Sequence, residues 1–212
     1  MEPIGFAVGH DPAMDGRDMA HWMREAEERG YEIGFFSETI EVMRDSVSSL
    51  SAIALATERL TIGCTQIVRL RSPLVMAQTA ASLDELASGR LMLAPGSCTS
   101  THAKRHGLEP VDPGVALREW IESMRLILAR GNVSYDGEVV KFKDVELGFE
   151  PPRRRVPMFV PATSRKGLCI AGAIGDGVLL NAVCSPEYSA NALKIVREAS
   201  RPAPRQVHRV AR

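Results

Sequence analysis

The sequence predicts an α/β fold in which short parallel strands alternate with amphipathic helices, and three observations carry that reading. Short apolar runs recur along the chain, each followed by a stretch with apolar residues at helical spacing. Ser-Pro and Asp-Pro pairs stand where helices should start, and glycines stand where they should stop. No Gly-x-Gly-x-x-Gly follows the first strand and no Gly-x-x-x-x-Gly-Lys-Ser/Thr loop occurs, so the marks of a nucleotide-binding doubly wound sheet are missing.

The elements follow in order. Residues 4 to 8 form the first strand, and Asp15 caps a helix with Met19, Trp22, Met23 and Ala26 on its apolar stripe and Gly30 at its end. Residues 33 to 36 form the second strand, and Asp45 or Ser46 caps a helix carrying Leu50, Ile53 and Ala54. Residues 60 to 64 form the third strand. Ser72-Pro73 starts a helix with Met76, Ala80, Leu83 and Ala87 inward, which Gly89 ends. Residues 91 to 94 form the fourth strand. Asp112-Pro113 opens the clearest amphipathic helix, with Leu117, Trp120, Ile121, Met124, Ile127 and Leu128 on one face and Gly131 at its end. Trp22 and Trp120 both read as core. The rhythm breaks at 132 to 150, which alternates around Asp136-Gly137 and reads as an inserted β-hairpin. Residues 158 to 160 then form a strand, Ser164 caps a helix to Ile174, residues 178 to 180 form another strand, and Ser185-Pro186 opens a helix to about residue 199. Six βα units result. Periodicity alone leaves two architectures open, an open doubly wound sheet or most of an eightfold barrel.

The 212 residues, 45% of them hydrophobic and 25% charged, suit one globular domain, read here as residues 1–200. The Arg/Pro-rich segment 201–212 shows neither period and is expected to be a disordered tail. Twenty-six Lys and Arg balance 26 Asp and Glu, which gives no argument for nucleic acid or an anionic membrane as partner. The N-terminus lacks a secretory signal, and no apolar run spans a bilayer. Cys64, Cys98, Cys169 and Cys184 form no C-x-x-C pair and read as free thiols of a cytoplasmic protein. His102 and His106 have the spacing of two metal ligands on a helix, but no third ligand stands near. They read as a surface loop, with no metal expected.

Three stretches carry a resemblance. They are Arg71-Ser72-Pro73-Leu74-Val75-Met76-Ala77-Gln78 running on to Leu83-Asp84-Glu85-Leu86-Ala87-Ser88-Gly89-Arg90; Val133-Ser134-Tyr135-Asp136-Gly137-Glu138; and Val156-Pro157-Met158-Phe159-Val160-Pro161-Ala162-Thr163-Ser164 with Ala171-Gly172-Ala173-Ile174-Gly175-Asp176-Gly177-Val178. In this order and spacing the chain resembles the luciferase-like monooxygenase superfamily. Within it, the nearest branch is the deazaflavin-dependent one, near methylenetetrahydromethanopterin reductase. The resemblance implies a TIM-type (β/α)8 barrel with an insertion before its fifth strand, here incomplete at about six units. The first and sixth strands would then be edges, and homo-oligomers or edge-mediated association would follow.

The resemblance also implies the chemistry. A hydride would pass between a small organic substrate and carbon five of a 5-deazaflavin, coenzyme F-420. The alternatives are an FMN-dependent monooxygenase on the same fold and a truncated, inactive relative. The coenzyme ring would rest on a bulge with a non-proline cis peptide at Cys64, Thr65, Gln66 and Ile67. Its phosphate would lie at Ala162, Thr163 and Ser164 and at Gly177 and Val178. The residues add that Ser164 opens a helix whose free N–H groups suit an anion, that Arg165 and Lys166 bring charge beside it, and that Gly175 and Gly177 would admit a ligand closely. Glu38 stands where relatives often carry an acid near the reacting ring, and is the expected catalytic group. Thr39 stands where relatives often have a histidine, and Ala7 where some carry a carboxylate. Arg44-Asp45 reads as a helix cap with a surface ion pair.

Overall fold

Apolar β-rich runs bounded by capped helices give the chain alternating strands and helices, and the computed structural model describes residues 4–9, 11–97, 100–129, 131–181 and 183–200. The first four units are β1 (Gly5–Ala7) and α1 (Gly16–Glu28), β2 (Ile33–Phe36) and α2 (Ser46–Ala56), β3 (Thr61–Ile67) and α3 (Pro73–Leu86), and β4 (Leu91–Gly96) followed by α4 (Ser100–Arg105) and α5 (Pro113–Ala129). A hairpin of β5 (Val133–Asp136) and β6 (Lys141–Val145) comes next. It is followed by β7 (Phe159–Pro161), α6 (Arg165–Ile174), β8 (Gly177–Leu179) and α7 (Pro186–Ala199).

Strands β1 to β4 pair in parallel and in sequence order. A parallel bridge from Leu93 to Met158, with Leu93 N–H donating to the Pro157 carbonyl at 2.9 Å, carries the wall on to β7, and β7 pairs in parallel with β8. The order never reverses, which excludes the doubly wound alternative. The hairpin forms its own antiparallel pair outside this wall. Among the described residues β1 and β8 each pair with one neighbour, and the wall is not closed. No helix among the described residues is long and apolar enough to cross a membrane.

The caps work as the sequence suggests. Asp15, Asp45, Ser72, Ser164 and Ser185 each accept from an N–H in the first turn of their helix, each worth about 1 kcal/mol. Gly30 and Gly89 sit at φ +87° and +81°, the left-handed position in which glycine closes a helix without steric cost. The predicted stripes of α2, α3 and α5 are buried in one core with β2, β3 and β4.

Four expectations need correcting. Trp22 is 47% exposed: Met19, Met23 and Ala26 fill the inner face of α1, and Trp22 lies beside His21 at its edge. His102 lies in the short helix α4, with His106 one residue past its end, rather than in an irregular loop. The hairpin turn takes four residues, 137 to 140, with Gly137 N–H donating to the Val140 carbonyl. Its shape is set by Glu119 of α5, whose carboxylate accepts from the N–H groups of Glu138, Val139 and Val140 at 2.7 to 2.8 Å. A Cβ at Gly137 would stand 2.4 Å from that carboxylate, so a larger residue there would displace Glu119 from the turn. Lastly, β3 runs on to Ile67 in unbroken register with β4, from Ile62↔Leu91 to Ile67↔Gly96, and no peptide bond among the described residues is cis. The expected bulge at Cys64–Ile67 is absent because continuous ladder bonds to β4 hold the segment straight. Cys64, Cys169 and Cys184 are free thiols, while Cys98 and the expected tail 201–212 lie outside the described residues.

Candidate active site at the carboxyl ends of the strands

Parallel pairing brings the carboxyl ends of all six wall strands to one rim, where barrel enzymes build their sites. On the β2–β3 side of the rim, β2 leaves the ladder after Phe36 and Glu38 takes over its pairing role. The backbone N–H of Glu38 donates to Thr65 Oγ1 at 2.7 Å, and its carboxylate Oε2 accepts from Ile67 N–H at 2.9 Å. The other oxygen, Oε1, accepts from Ser46 Oγ at 2.6 Å and from Arg71 Nη1 at 2.5 Å. Three of the roughly four lone-pair directions of the carboxylate are thus used. Glu38 is 7% exposed. It is neither a solvated loop acid nor a group turned outward to a reactant.

Arg71, just before the α3 cap, knits the rest. Its guanidinium donates to Glu38, to Gln66 Oε1 at 3.2 Å and to Asp45 Oδ1 at 2.8 Å, while its carbonyl accepts from the Trp120 indole N–H at 3.0 Å. Gln66 is 2% exposed and also donates to Ser46 Oγ at 3.2 Å. One side chain therefore ties together the β2 loop, the end of β3 and the start of α2, and through its backbone it reaches α5. Burial works to lower the Arg71 pKa, but Glu38 and Asp45 outweigh it and hold the guanidinium above its usual value. For Asp45, burial works upward, and the Ser48 N–H and hydroxyl together with Arg71 hold the carboxyl below the usual range. Asp45 is both the α2 cap and half of an ion pair, as expected from the sequence, although its partner is Arg71. Nothing in the sequence near Arg71 announced this role, since its partners lie 5, 26 and 33 residues away.

The expected ring-contacting residues divide. Cys64 is fully buried in the core, and burial, followed by the Glu38 charge, pushes its thiol well up, so it is a packing residue with a neutral side chain. Gln66 is spent on the Arg71 network. Thr65 is partly exposed and is the one of the three whose side chain stands at the rim.

The expected phosphate residues also divide. Ala162, Thr163 and Ser164 follow β7 at the carboxyl rim, with Thr163 and Ser164 exposed. Ser164 Oγ accepts from Gly167 N–H at 3.2 Å, and the N–H groups of Arg165 and Lys166 in the same first turn of α6 have no helical partner. Arg165 is exposed and makes no ion pair among the described residues, whereas Lys166 is engaged by Asp112 at 2.8 Å. Gly177 and Val178 are not brought there. They pair with Phe159 and Val160, which places the start of β8 at the opposite, amino-terminal end. A Cβ at Gly177 would lie 2.5 Å from the Phe159 ring, and one at Gly175 2.6 Å from the Ala171 carbonyl. These glycines make room for protein and not for a ligand.

The stretches that carried the resemblance are mostly scaffold. Asp84, at 0% exposure, accepts from Leu91 N–H at 3.1 Å and from Arg153 Nε and Nη2 at 2.8 and 2.6 Å. Arg90 donates to the carbonyls of Ala54, Thr57 and Leu60. Asp176 accepts from Met158 N–H and from Arg125 and Arg155. All three act at the amino-terminal ends of the strands.

Comparison with known proteins agrees with this architecture. The chain is 29% identical over 179 residues to a 5,10-methylenetetrahydromethanopterin reductase from Archaeoglobus fulgidus, a match covering 84% of this chain and 53% of that protein. It is 30% identical over 175 residues to an F420-dependent glucose-6-phosphate dehydrogenase from Beutenbergia cavernae, covering 77% of this chain and 52% of the relative. The structure of a coenzyme F420 dependent tetrahydromethanopterin reductase from Methanopyrus kandleri superposes with a TM-score of 0.84 at 23% identity, over 93% of this chain and 60% of that one. The chain spans about half the length of the curated relatives it matches. The luciferase-like monooxygenase family model matches residues 3–212, and with the wall order, the hairpin outside it and the rim just described, the chain belongs to that family.

Proposed function

We propose that the chain provides the coenzyme-binding part of an oxidoreductase that uses the 5-deazaflavin coenzyme F-420 and acts on a small organic substrate. The observation that carries the reading is the 30% identity, over 77% of this chain, to a dehydrogenase named for its dependence on F420. When bound, the coenzyme would supply hydride transfer at carbon five. The residues of the chain do the rest. The first turn of α6 offers the N–H groups of Arg165 and Lys166 next to Ser164, with Thr163 and Arg165, which makes no ion pair among the described residues, beside it. This donor set fits a phosphate, and the neighbouring Asp112 carboxylate is already paired with Lys166. Thr65 at the end of β3 lies where the ring would rest. Glu38 and Arg71 hold that strand end in place and exclude water beneath it, so both are positioning residues.

The family description favours one second reading, an FMN-dependent monooxygenase. Titration calorimetry with each coenzyme separates the two. F-420 should bind more tightly, and equal or tighter FMN binding would reverse the assignment. Self-association through the open edges of β1 and β8 belongs to the same proposal. Size-exclusion chromatography should show it growing with concentration.

A further inference from the structure

Beyond the β3–β4 side of the rim lies a cleft of about 500 Å³, within the size range of small-molecule sites. Its walls are Val68 after β3, Leu108 and Val111 between α4 and α5, and Ala116 on α5. The α4–α5 wall is stiff: Pro110 and Pro113 fix φ at two points and Gly107 turns the chain at φ +65°. A wall already ordered costs little more to order around a ligand.

Several cations elsewhere on the rim are ion-paired, although Arg165 at the start of α6 has no ion pair among the described residues. Arg71 is paired with Glu38 and Asp45, Arg105 with Glu41, and Lys166 with Asp112. Arg69 and Lys104 line the cleft together with Glu109, and neither cation makes an ion pair with a carboxylate among the described residues. Arg69 spends one N–H on the Glu109 carbonyl at 2.7 Å, which fixes its side chain across the opening and leaves its other donors available. Its backbone sits at φ +76°, a left-handed conformation that non-glycine residues rarely adopt. The loop thus accepts strain in the residue that carries this charge.

We propose that the cleft is a site for a small organic anion, with an apolar body against Val68, Leu108 and Val111 and a carboxylate or phosphate between Arg69 and Lys104. This deepens the reading above, because an anion seated there lies on the same rim as the proposed coenzyme site and defines the substrate class. The test starts without coenzyme, so that it does not depend on the choice of coenzyme. The probes are 4-phenylbutyrate and its neutral counterpart 4-phenylbutan-1-ol, titrated into the full chain by ligand-observed NMR. The carboxylate should bind roughly five- to tenfold more tightly, the preference that two partly exposed cations give. Lys104→Ala should remove most of that preference and leave alcohol binding unchanged. Its circular dichroism should match the parent, since the side chain is exposed. Ala103→Trp, which fills the cleft, should abolish binding of both probes. Equal affinity for the two probes, a preference that survives Lys104→Ala, or carboxylate binding that survives Ala103→Trp would each overturn the proposal. In a final arm, F-420 is added to the probe-loaded chain. Continued probe binding supports a substrate site, and displacement would assign the cleft to the coenzyme and overturn it.

Discussion

At the scale of single residues, Arg71 and Asp84 belong to one motif but stand at opposite ends of the wall. Arg71 reaches three acceptors with a planar fork. Lysine has one compact ammonium and cannot span them. Arg71→Lys should therefore lower stability by about 1–3 kcal/mol by leaving Glu38 short of a donor, and it should also weaken coenzyme binding by loosening the end of β3. Asp84→Asn leaves the Arg153 pair and the Leu91 N–H bond impaired at the amino-terminal end. Arg153 is partly exposed and can recover water, so the cost should be about 2 kcal/mol, or roughly 4–8 °C in melting temperature. Coenzyme affinity should not change. Thermal melts and calorimetry on both variants check the contrast. An Asp84→Asn protein with weakened binding, or an Arg71→Lys protein with parental binding, would contradict this division. The sequence made both residues visible as part of a family pattern. It did not show which end of the molecule each serves, because that depends on partners brought together only by folding.

Secondary-structure elements were legible to different degrees, for physical reasons. The helices α1, α2, α3, α5, α6 and α7 could be read because a cap, a stripe and in most cases a glycine or proline agree on each. α4 could not, since its six residues bury nothing and leave no stripe. β3 read short because Gln66 breaks the apolar run, although it is buried by a polar network. The phosphate reading depends on which end of an element a residue occupies. Register sets Gly177 beside Phe159 at the amino-terminal end of the β7–β8 pair and Val178 beside Val160 in its middle, while Ser164 follows the carboxyl end of β7. Ser164→Asp tests what remains. Aspartate caps a helix about as well as serine, so stability should hold within a few tenths of a kcal/mol. Its charge would repel a phosphate at the same N–H groups, so F-420 should bind at least ~10-fold more weakly, or about 1.4 kcal/mol. A phosphate-free analogue should be unaffected. Equal losses for both ligands would remove Ser164 from the phosphate site.

Over the whole molecule, the acids at the strand starts and in the hairpin serve stability, while the carboxyl rim combines stability with recognition. The carboxyl rim holds the Glu38–Arg71 network, the cleft and cations such as Arg69 and Lys104 that have no carboxylate partner among the described residues, while other buried or ion-paired acids lock the strand starts and the hairpin. Glu27 accepts from the N–H groups of Glu58, Arg59 and Leu60 ahead of β3; Asp176 secures the start of β7; Glu119 shapes the hairpin. These latches were illegible in the sequence, because a carboxylate bound to backbone N–H groups 18 to 33 residues away leaves no residue pattern. They carry a definite pH dependence. Burial works to raise each of these three pKa values, but the backbone N–H groups, with arginines beside Asp176, outweigh it and hold all three below the usual range. A depressed folded-state pKa contributes stability that is fully present above the unfolded value and is lost as pH falls through the folded value. The urea midpoint should therefore be level at neutral pH and fall steadily below about pH 4. Glu27→Gln isolates one latch. It should lower the midpoint at pH 7 and make progressively less difference as the pH is lowered, because the parent glutamate is then losing the same charge. Midpoints for parent and variant at a series of pH values check this. A gap that stays constant into acid would mean that Glu27 contributes through packing and not through the charge it holds against those three N–H groups.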